Sequence, residues 1–70
     1  MKEQAVFGRN LKALRKKRGL TQAKLAEMLG VSTVYIYYLE AARKSPSFEL
    51  IIRIHRVLKC SHTDLYKGLL

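Results

Sequence analysis

Apolar residues recur along this chain with the three- and four-residue spacing of amphipathic helices. In the first segment Phe7, Leu11 and Leu14 lie on one stripe, while neighbouring lysines point the other way. Gly19 follows this stripe, and glycine is a common residue just beyond the C-terminus of a helix. The pattern therefore predicts a first helix over residues 3–18.

The next two apolar segments are short, and only a few residues separate them. Thr21 is a suitable N-cap for a second helix, which ends at Gly30. Ser32 is a suitable N-cap for a third helix over residues 33–41. The intervening chain is just long enough for a tight turn, so the two helices are predicted to meet at a sharp angle.

Two further helices are predicted after a polar, basic loop. The fourth, over residues 47–59, carries apolar side chains over a wide arc and follows Pro46, a helix-start signal. Ser61 and Asp64 have the spacing of a capping box at the start of a fifth helix. Since no segment alternates as a strand does, the predicted fold class is all-α, a compact five-helix bundle forming a single domain over residues 1–70.

The charge balance narrows the class of partner. The chain has 14 Lys and Arg against 5 Asp and Glu, a formal net charge of +9, although 49% of its residues are hydrophobic. Such a surplus on a small domain attracts phosphate backbones or anionic membranes. No apolar run approaches the roughly 18 residues of a spanning helix, so we expect no membrane partner and a cytoplasmic protein that binds a polyanion.

Enzymatic and metal-dependent functions find little support. The single cysteine, Cys60, excludes an internal disulfide, and together with His55 and His62 it falls short of a tetrahedral metal site. We expect His55 to be partly buried and hydrogen-bonded and Cys60 to fill a small apolar position. Paired acid-base carboxylates, phosphate-binding glycine loops and activated nucleophiles are not found. The chain is predicted to be no enzyme, with neither metal nor cofactor.

The third helix has an uncharged outward face. At 100° per residue, Ile36 and Leu39 anchor it inward. The residues on the opposite side are Thr33, Val34, Tyr37 and Tyr38. A short helix with uncharged hydrogen-bonding groups on its outward side suits the base edges of a DNA major groove.

A continuous motif joins the first three helices. It consists of the stretch FGRNLKALRKKRGLTQAKLAEMLGVS, followed by Ile36-Tyr37-Tyr38-Leu39-Glu40 and by Pro46-Ser47. In order and spacing this motif resembles the helix-turn-helix family of phage Cro and lambda-type repressors, also called the XRE family. The resemblance covers residues from about 7 to 66. It implies a lambda-repressor-like fold and a transcriptional regulator that binds double-stranded DNA, with the third helix in the major groove.

The resemblance also implies roles for individual residues. Thr33, Val34 and Tyr38 match base-reading positions, and we assign Tyr37 beside them to the same role. The expected phosphate contacts are Gln22 at the start of the second helix, Tyr35, and Arg43 with Lys44 in the following loop. Arg15 and Glu40 match a structural pair that ties the first helix to the end of the third.

The chain departs from the family pattern at Ala42, Lys59, His55 and His62, and at the first two of these the family usually has glycine. Ala42 stands where the family usually has glycine, and Lys59 replaces another common glycine. Alanine in a left-handed C-cap costs about 1 kcal/mol relative to glycine. We therefore expect the third helix to run on or to close without that cap.

The resemblance further implies a homodimer on a pseudo-palindromic operator. We place the dimer interface on the C-terminal helices, about residues 47–70, because these carry more apolar residues than one small core needs. The expected interface residues are Ile52, Leu65, Tyr66, Leu69 and Leu70. The alternative is a protein-interaction module, such as an antitoxin or adaptor, whose tyrosine-rich third helix docks on a partner protein such as a toxin.

Overall fold

The computed structural model describes residues 2–68, which form five α-helices and contain no strand. The helices are α1 (Lys2–Lys17), α2 (Gln22–Leu29), α3 (Thr33–Glu40), α4 (Phe48–Leu58) and α5 (His62–Tyr66). The predicted all-α fold with five helices is confirmed, and the predicted bounds of α1, α3 and α4 differ from these by no more than one residue. Within the described helices, none combines the length and apolar character needed to cross a membrane.

The helices begin where the predicted capping residues stand. The hydroxyl oxygens of Thr21, Ser32 and Ser61 each accept a hydrogen bond from the backbone N–H three residues further on. At α5 the Asp64 carboxylate accepts the Ser61 N–H in return at 2.9 Å, which completes a capping box. Gly30 ends α2 in a left-handed conformation, with φ 74°. These local contacts fix the tight turn between α2 and α3.

A single hydrophobic core lies between the five helices. Its buried members are Phe7, Leu11, Leu25, Ala26, Leu29, Ile36, Leu39, Leu50, Ile54, Leu58 and Leu65. The assignment of Leu65 to a dimer interface is therefore wrong. Because α5 is short, Leu65 is the one fully buried side chain with which α5 closes the core against α1.

Gly8 lets α1 approach the end of α3 closely. A Cβ atom at this position would lie 2.5 Å from the carbonyl oxygen of Leu39 and 2.8 Å from that of Glu40. Neither oxygen is free to move away, since both belong to the backbone at the end of α3. The missing side chain thus sets the distance between α1 and α3.

Three arginines bind backbone carbonyl groups at the ends of elements. The Arg15 Nη1 atom donates to the Leu20 carbonyl at 2.7 Å, in the turn between α1 and α2. Arg18 donates to the carbonyl of Leu58, the last residue of α4. Arg53 donates at 3.0 Å to the carbonyl that ends α2. The guanidinium groups of Arg18 and Arg53 thus satisfy acceptors that helix termini leave open, and that of Arg15 binds the turn between α1 and α2.

Ala42 adopts the left-handed conformation, contrary to the expectation that α3 would avoid it. Its φ is 62°. The Arg43 N–H donates to the Tyr38 carbonyl at 2.9 Å and the Ala42 N–H to the Leu39 carbonyl at 3.2 Å, the two bonds of a Schellman motif. Lys59 likewise ends α4 with φ 51°. The capping hydrogen bonds at both helix ends offset part of the steric cost that a Cβ atom has in this conformation.

Candidate nucleic-acid interface

The outward side of α3 is exposed, as the sequence predicts. Val34 is 58% exposed and Tyr37 51% exposed, and Thr33 at the helix start is also exposed. Ile36 and Leu39 on the other side are fully buried in the core. The helix is thus held rigidly from one side and presents uncharged groups on the other; its base-reading role stays a prediction.

Tyr38 lies at the edge of this face and is half-buried. Its ring centroid is 5.8 Å from that of Tyr37 and 5.7 Å from the Lys44 Nζ atom. The Lys44 ammonium therefore stands within cation-π distance of the ring. This contact links the loop after α3 to the face of the helix, and both Lys44 and Arg43 are exposed there.

Tyr35 is turned toward the loop rather than outward. Its ring packs against the core, and its hydroxyl donates to the Ser45 carbonyl at 3.4 Å. Gln4 on α1 donates from its Nε2 atom to the Ser45 hydroxyl at 2.7 Å. Both bonds hold the loop between α3 and α4, so Tyr35 positions the loop that carries Arg43 and Lys44.

A buried polar network lies where α1, α2 and α3 meet. The predicted pair is confirmed: the Arg15 Nε and Nη2 atoms donate to the two Glu40 carboxylate oxygens at 2.6 and 3.1 Å. Gln22 joins it, since its Nε2 atom donates to Glu40 Oε1 at 3.1 Å. Sequence reasoning missed this bond, because residues 22 and 40 lie in different helices and no periodicity relates them. One N–H of the Gln22 amide is thereby used internally, and the other can donate outward.

An exposed acid on α2 is already paired with a lysine of the same helix. Glu27 on α2 accepts a hydrogen bond from Lys24 at 2.9 Å. This bond, with the lysine charge, lowers the pKa of the Glu27 carboxyl below its ordinary value. The positive field of Arg43 and Lys44 is therefore not opposed by a free carboxylate on α2.

The predicted dimer residues separate into different environments. Ile52 on α4 is 36% exposed, and Phe48, one turn earlier, is 78% exposed although the sequence places it in the apolar arc of α4. Tyr66 is half-buried, with its ring centroid 5.6 Å from that of Phe7. Leu69 and Leu70 lie outside the described residues.

Of the residues considered for metal binding, Cys60 and His55 are partly buried and His62 is exposed. The Sγ atom of Cys60 lies 3.9 Å from the Ile54 carbonyl oxygen, and burial raises the pKa of the thiol. The expectation of a hydrogen-bonded His55 is wrong, since its buried Nε2 atom has no hydrogen-bond partner among residues 2–68. The ring instead packs edge-on against His62, with centroids 6.0 Å apart. Over the same residues, no three His, Cys, Asp or Glu side chains form a group that could hold a metal ion.

Comparisons of the sequence and of the fold with known proteins agree with one another. The family described as Helix-turn-helix matches residues 11–65. The chain is 36% identical over 63 residues to Repressor protein C2 of Salmonella phage P22, covering 90% of this chain and 29% of the phage protein. It is 33% identical to the HTH-type transcriptional regulator YqaE of Bacillus subtilis, of which it covers 54%. The chain thus spans about a third to a half of the length of these two relatives.

Other relatives match over most of their own length. An HTH-type transcriptional regulator of Methanothermobacter thermautotrophicus is 48% identical over 50 residues, which are 71% of this chain and 72% of that protein. The restriction-modification controller protein C.AhdI from Aeromonas hydrophila superposes with a TM-score of 0.87 at 26% identity, covering 94% of this chain and all of that chain. The clp gene regulator ClgR from C. glutamicum superposes with a TM-score of 0.86 at 32% identity, covering 94% and 85%.

Proposed function

This chain belongs to the helix-turn-helix family of transcriptional regulators, and from that premise we propose that it binds double-stranded DNA sequence-specifically, as a cytoplasmic regulator of the repressor or controller type. The family consists of regulators rather than enzymes, so the prediction that the chain is no enzyme is confirmed. The gene-regulatory activity proposed for the chain rests on the geometry of α2, α3 and the loop that follows them.

The exposed side of α3 is the observation that carries the proposal. An eight-residue helix is about 12 Å long and enters a major groove of about 12 Å width. Thr33 and Tyr37 bring hydroxyl groups that donate and accept hydrogen bonds, and Val34 brings methyl groups that suit the methyl of thymine. Since Ile36 and Leu39 are locked in the core, these groups meet the bases at a fixed angle.

The proposed phosphate contacts flank this helix on both sides. Gln22 stands at the first position of α2 and retains one amide N–H for a phosphate oxygen. Arg43 and Lys44 follow α3 in the loop held by Tyr35. Contacts before and after α3 would fix its depth and register in the groove without reading sequence themselves.

The proposed dimer uses the exposed face of α4, within the C-terminal region over residues 47–70. Phe48 and Ile52 are four residues apart and so lie on one side of the helix. A twofold axis would set these two side chains of one copy against the same two of the other. Two copies related in this way would read half-sites about 34 Å apart in a pseudo-palindromic operator.

Selection of bound sequences from random duplex DNA tests the proposal. At about 150 mM salt, weak electrostatic binding is largely screened, so the selected sequences report base contacts. We expect an enriched pseudo-palindrome with half-sites one helical turn apart. Thr33→Ala should then weaken binding to the enriched duplex by about 1 to 3 kcal/mol and change binding to random duplexes less. The absence of enrichment would overturn the proposal in favour of a protein partner for α3.

A further inference from the structure

A buried histidine nitrogen stands out among the polar atoms of this fold. Over residues 2–68, the Nε2 atom of His55 is the one buried side-chain nitrogen or oxygen atom without a hydrogen-bond partner. Buried polar groups in proteins nearly always have a partner, so an exception such as this one favours a ligand for the nitrogen. The imidazole of histidine is the commonest metal ligand in proteins, and a metal ion is therefore the first ligand to consider.

A second imidazole lies next to this nitrogen. The ring centroids of His55 and His62 are 6.0 Å apart, and the two ring planes are nearly perpendicular, at 89°. These are the two histidines of the chain. His55 belongs to the last turn of α4 and is partly buried, whereas His62 is the first residue of α5 and is exposed. Packing thus holds the His55 ring, while the exposed His62 ring can turn about its side-chain bonds.

The separation of the two rings suits a single metal ion between them. A bond of about 2.1 Å from a metal to an imidazole nitrogen places the ion about 3.2 Å from the ring centroid. Two rings that bind one ion in tetrahedral directions therefore have centroids about 5.2 Å apart. The observed 6.0 Å exceeds this distance by about 0.8 Å. A turn of the His62 side chain, which would give up part of its ring contact with Tyr66, can close this difference.

Two imidazole nitrogens define the class of ion. Zn²⁺, Ni²⁺ and Cu²⁺ bind imidazole well, whereas Mg²⁺ and Ca²⁺ prefer oxygen ligands. The thiol of Cys60 is no third ligand, since its Sγ atom is directed to the Ile54 carbonyl oxygen and burial raises its pKa. Within the described part of the chain, no third His, Cys, Asp or Glu side chain joins the pair. Water molecules would therefore complete the coordination of the ion.

A metal ion at this place would fasten α5 to α4. The helix α5 has five residues and one fully buried side chain, Leu65, and it packs chiefly against α1. Small domains often include a structural metal, because their cores supply little stability.

We propose that His55 and His62 together bind one divalent ion of the class of Zn²⁺, Ni²⁺ and Cu²⁺, and that the bound ion stabilises the attachment of α5. The site is independent of the proposed DNA contacts, since neither histidine belongs to α2, α3 or the loop that follows α3.

Titration of the full chain with Zn²⁺ alone tests the proposal. The ring nitrogen signals of both histidines in the NMR spectrum should shift together and stop changing at one equivalent of Zn²⁺. The melting temperature should rise with the zinc concentration, because the ion binds the folded chain, and Mg²⁺ should change neither signal nor melting temperature. Two ligands on one chain bind an ion about a hundredfold more tightly than one, so His62→Gln should weaken zinc binding by about that factor.

His62→Gln is the decisive variant, because His62 is exposed and its replacement leaves the core intact. The matched controls are Thr63→Ala, at an exposed neighbour, and Cys60→Ala, which removes the thiol. Both should bind Zn²⁺ as the wild type does. A loss of zinc binding in Cys60→Ala as large as that in His62→Gln would overturn the proposal, since the thiol would then be a ligand. Unchanged zinc binding in His62→Gln would overturn it as well. If the wild-type chain binds no Zn²⁺, the two rings form an aromatic contact only and the proposal is wrong.

Discussion

Two residues with side chains end helices in a conformation that glycine adopts without steric cost. Ala42 has φ 62° and Lys59 has φ 51°. In this region the Cβ atom crowds the backbone, and glycine relieves that contact. We expect Ala42→Gly and Lys59→Gly each to raise the free energy of unfolding by about 1 kcal/mol, measured by urea denaturation.

Ala41 provides the control for this comparison. It precedes Ala42 but has φ −85°, a conformation that alanine adopts easily. Ala41→Gly should therefore lower the free energy of unfolding by about 0.5 to 1 kcal/mol, because glycine gives the unfolded chain more conformational freedom. If both glycine variants at residues 41 and 42 destabilised the protein equally, the strain assigned to Ala42 would not exist.

The buried polar network between α1, α2 and α3 depends on the carboxylate of Glu40. It accepts hydrogen bonds from Arg15 and Gln22, and both partners of its ion pair are almost fully buried. Glu40→Gln would leave the Arg15 charge buried without an anion, so we expect a loss of about 3 kcal/mol in the free energy of unfolding.

Glu49→Gln is the corresponding change at a solvent-exposed ion pair. Its ion pair with Arg53 joins two solvent-exposed side chains within α4. Glu49→Gln should change the free energy of unfolding by about 0.5 kcal/mol or less, since water already screens the pair. Similar losses for the two variants in urea denaturation would contradict the distinction between a buried and an exposed pair.

At the scale of whole helices, the features predicted from sequence are those with local causes. Capping by Thr21, Ser32 and Ser61 involves residues three positions apart, so short segments of sequence carry the signal. The role of Gly8 could not be predicted in this way. Its constraint is set by carbonyl oxygens about thirty residues later, at the end of α3.

The exposed Phe48 on α4 and the buried Leu65 on α5 show a second limit of periodicity. A wide apolar arc shows that a helix has an inner face but not how much of that arc its neighbours cover. On α4 the arc extends beyond the core, which leaves Phe48 exposed. On α5 the whole inner face is needed, which buries Leu65.

The capping box of α5 predicts a dependence of stability on pH. Hydrogen bonds with the backbone and side chain of Ser61 lower the pKa of Asp64 below its ordinary value of 3.8. A lowered carboxyl pKa stabilises the fold above the unfolded value, and this stabilisation is lost as the pH falls through the folded value. Asp64→Asn should thus be less stable than the wild type at pH 7, with the difference shrinking below pH 3.8.

Thermal unfolding across this pH range measures the effect. The exposed neighbour Thr63 offers a control within the same helix, because its side chain is not part of the capping box. Thr63→Ala should shift the midpoint by the same amount at every pH. A difference between Asp64→Asn and the wild type that stayed constant down to pH 2 would show that the carboxylate charge does not stabilise α5.

At the scale of the whole molecule, binding a polyanion and contact between two copies of the chain place opposite requirements on surface charge. The formal charge of +9 favours a polyanionic partner but repels a second copy of the chain. The positions of the cationic groups relative to the exposed apolar residues therefore decide whether dimers form. Sequence alone predicts the total charge and the outward side of α3, but the relative placement of α3 and α4 depends on tertiary packing.

Phe48 provides the sharpest test of the proposed dimer. At 78% exposure it contributes little to the core, so Phe48→Ser should leave the free energy of unfolding of the isolated chain almost unchanged. Burying a phenylalanine contributes about 2 kcal/mol, and a twofold interface contains two of them, so the dimer dissociation constant should rise by two to three orders of magnitude. Sedimentation equilibrium measures this shift.

Val34→Ser is the matched variant, since Val34 is also apolar and is 58% exposed, but on α3. If α4 forms the interface, Val34→Ser should weaken binding to the selected DNA sequence and leave the dimer intact. Phe48→Ser should weaken the dimer and, at protein concentrations high enough to restore the dimer, leave binding to that sequence unchanged. Dissociation caused by Val34→Ser and not by Phe48→Ser would place the contact between copies on α3. A dimer that buries α3 could not present that helix to a major groove, so this one result would reject both the interface and the DNA-binding face.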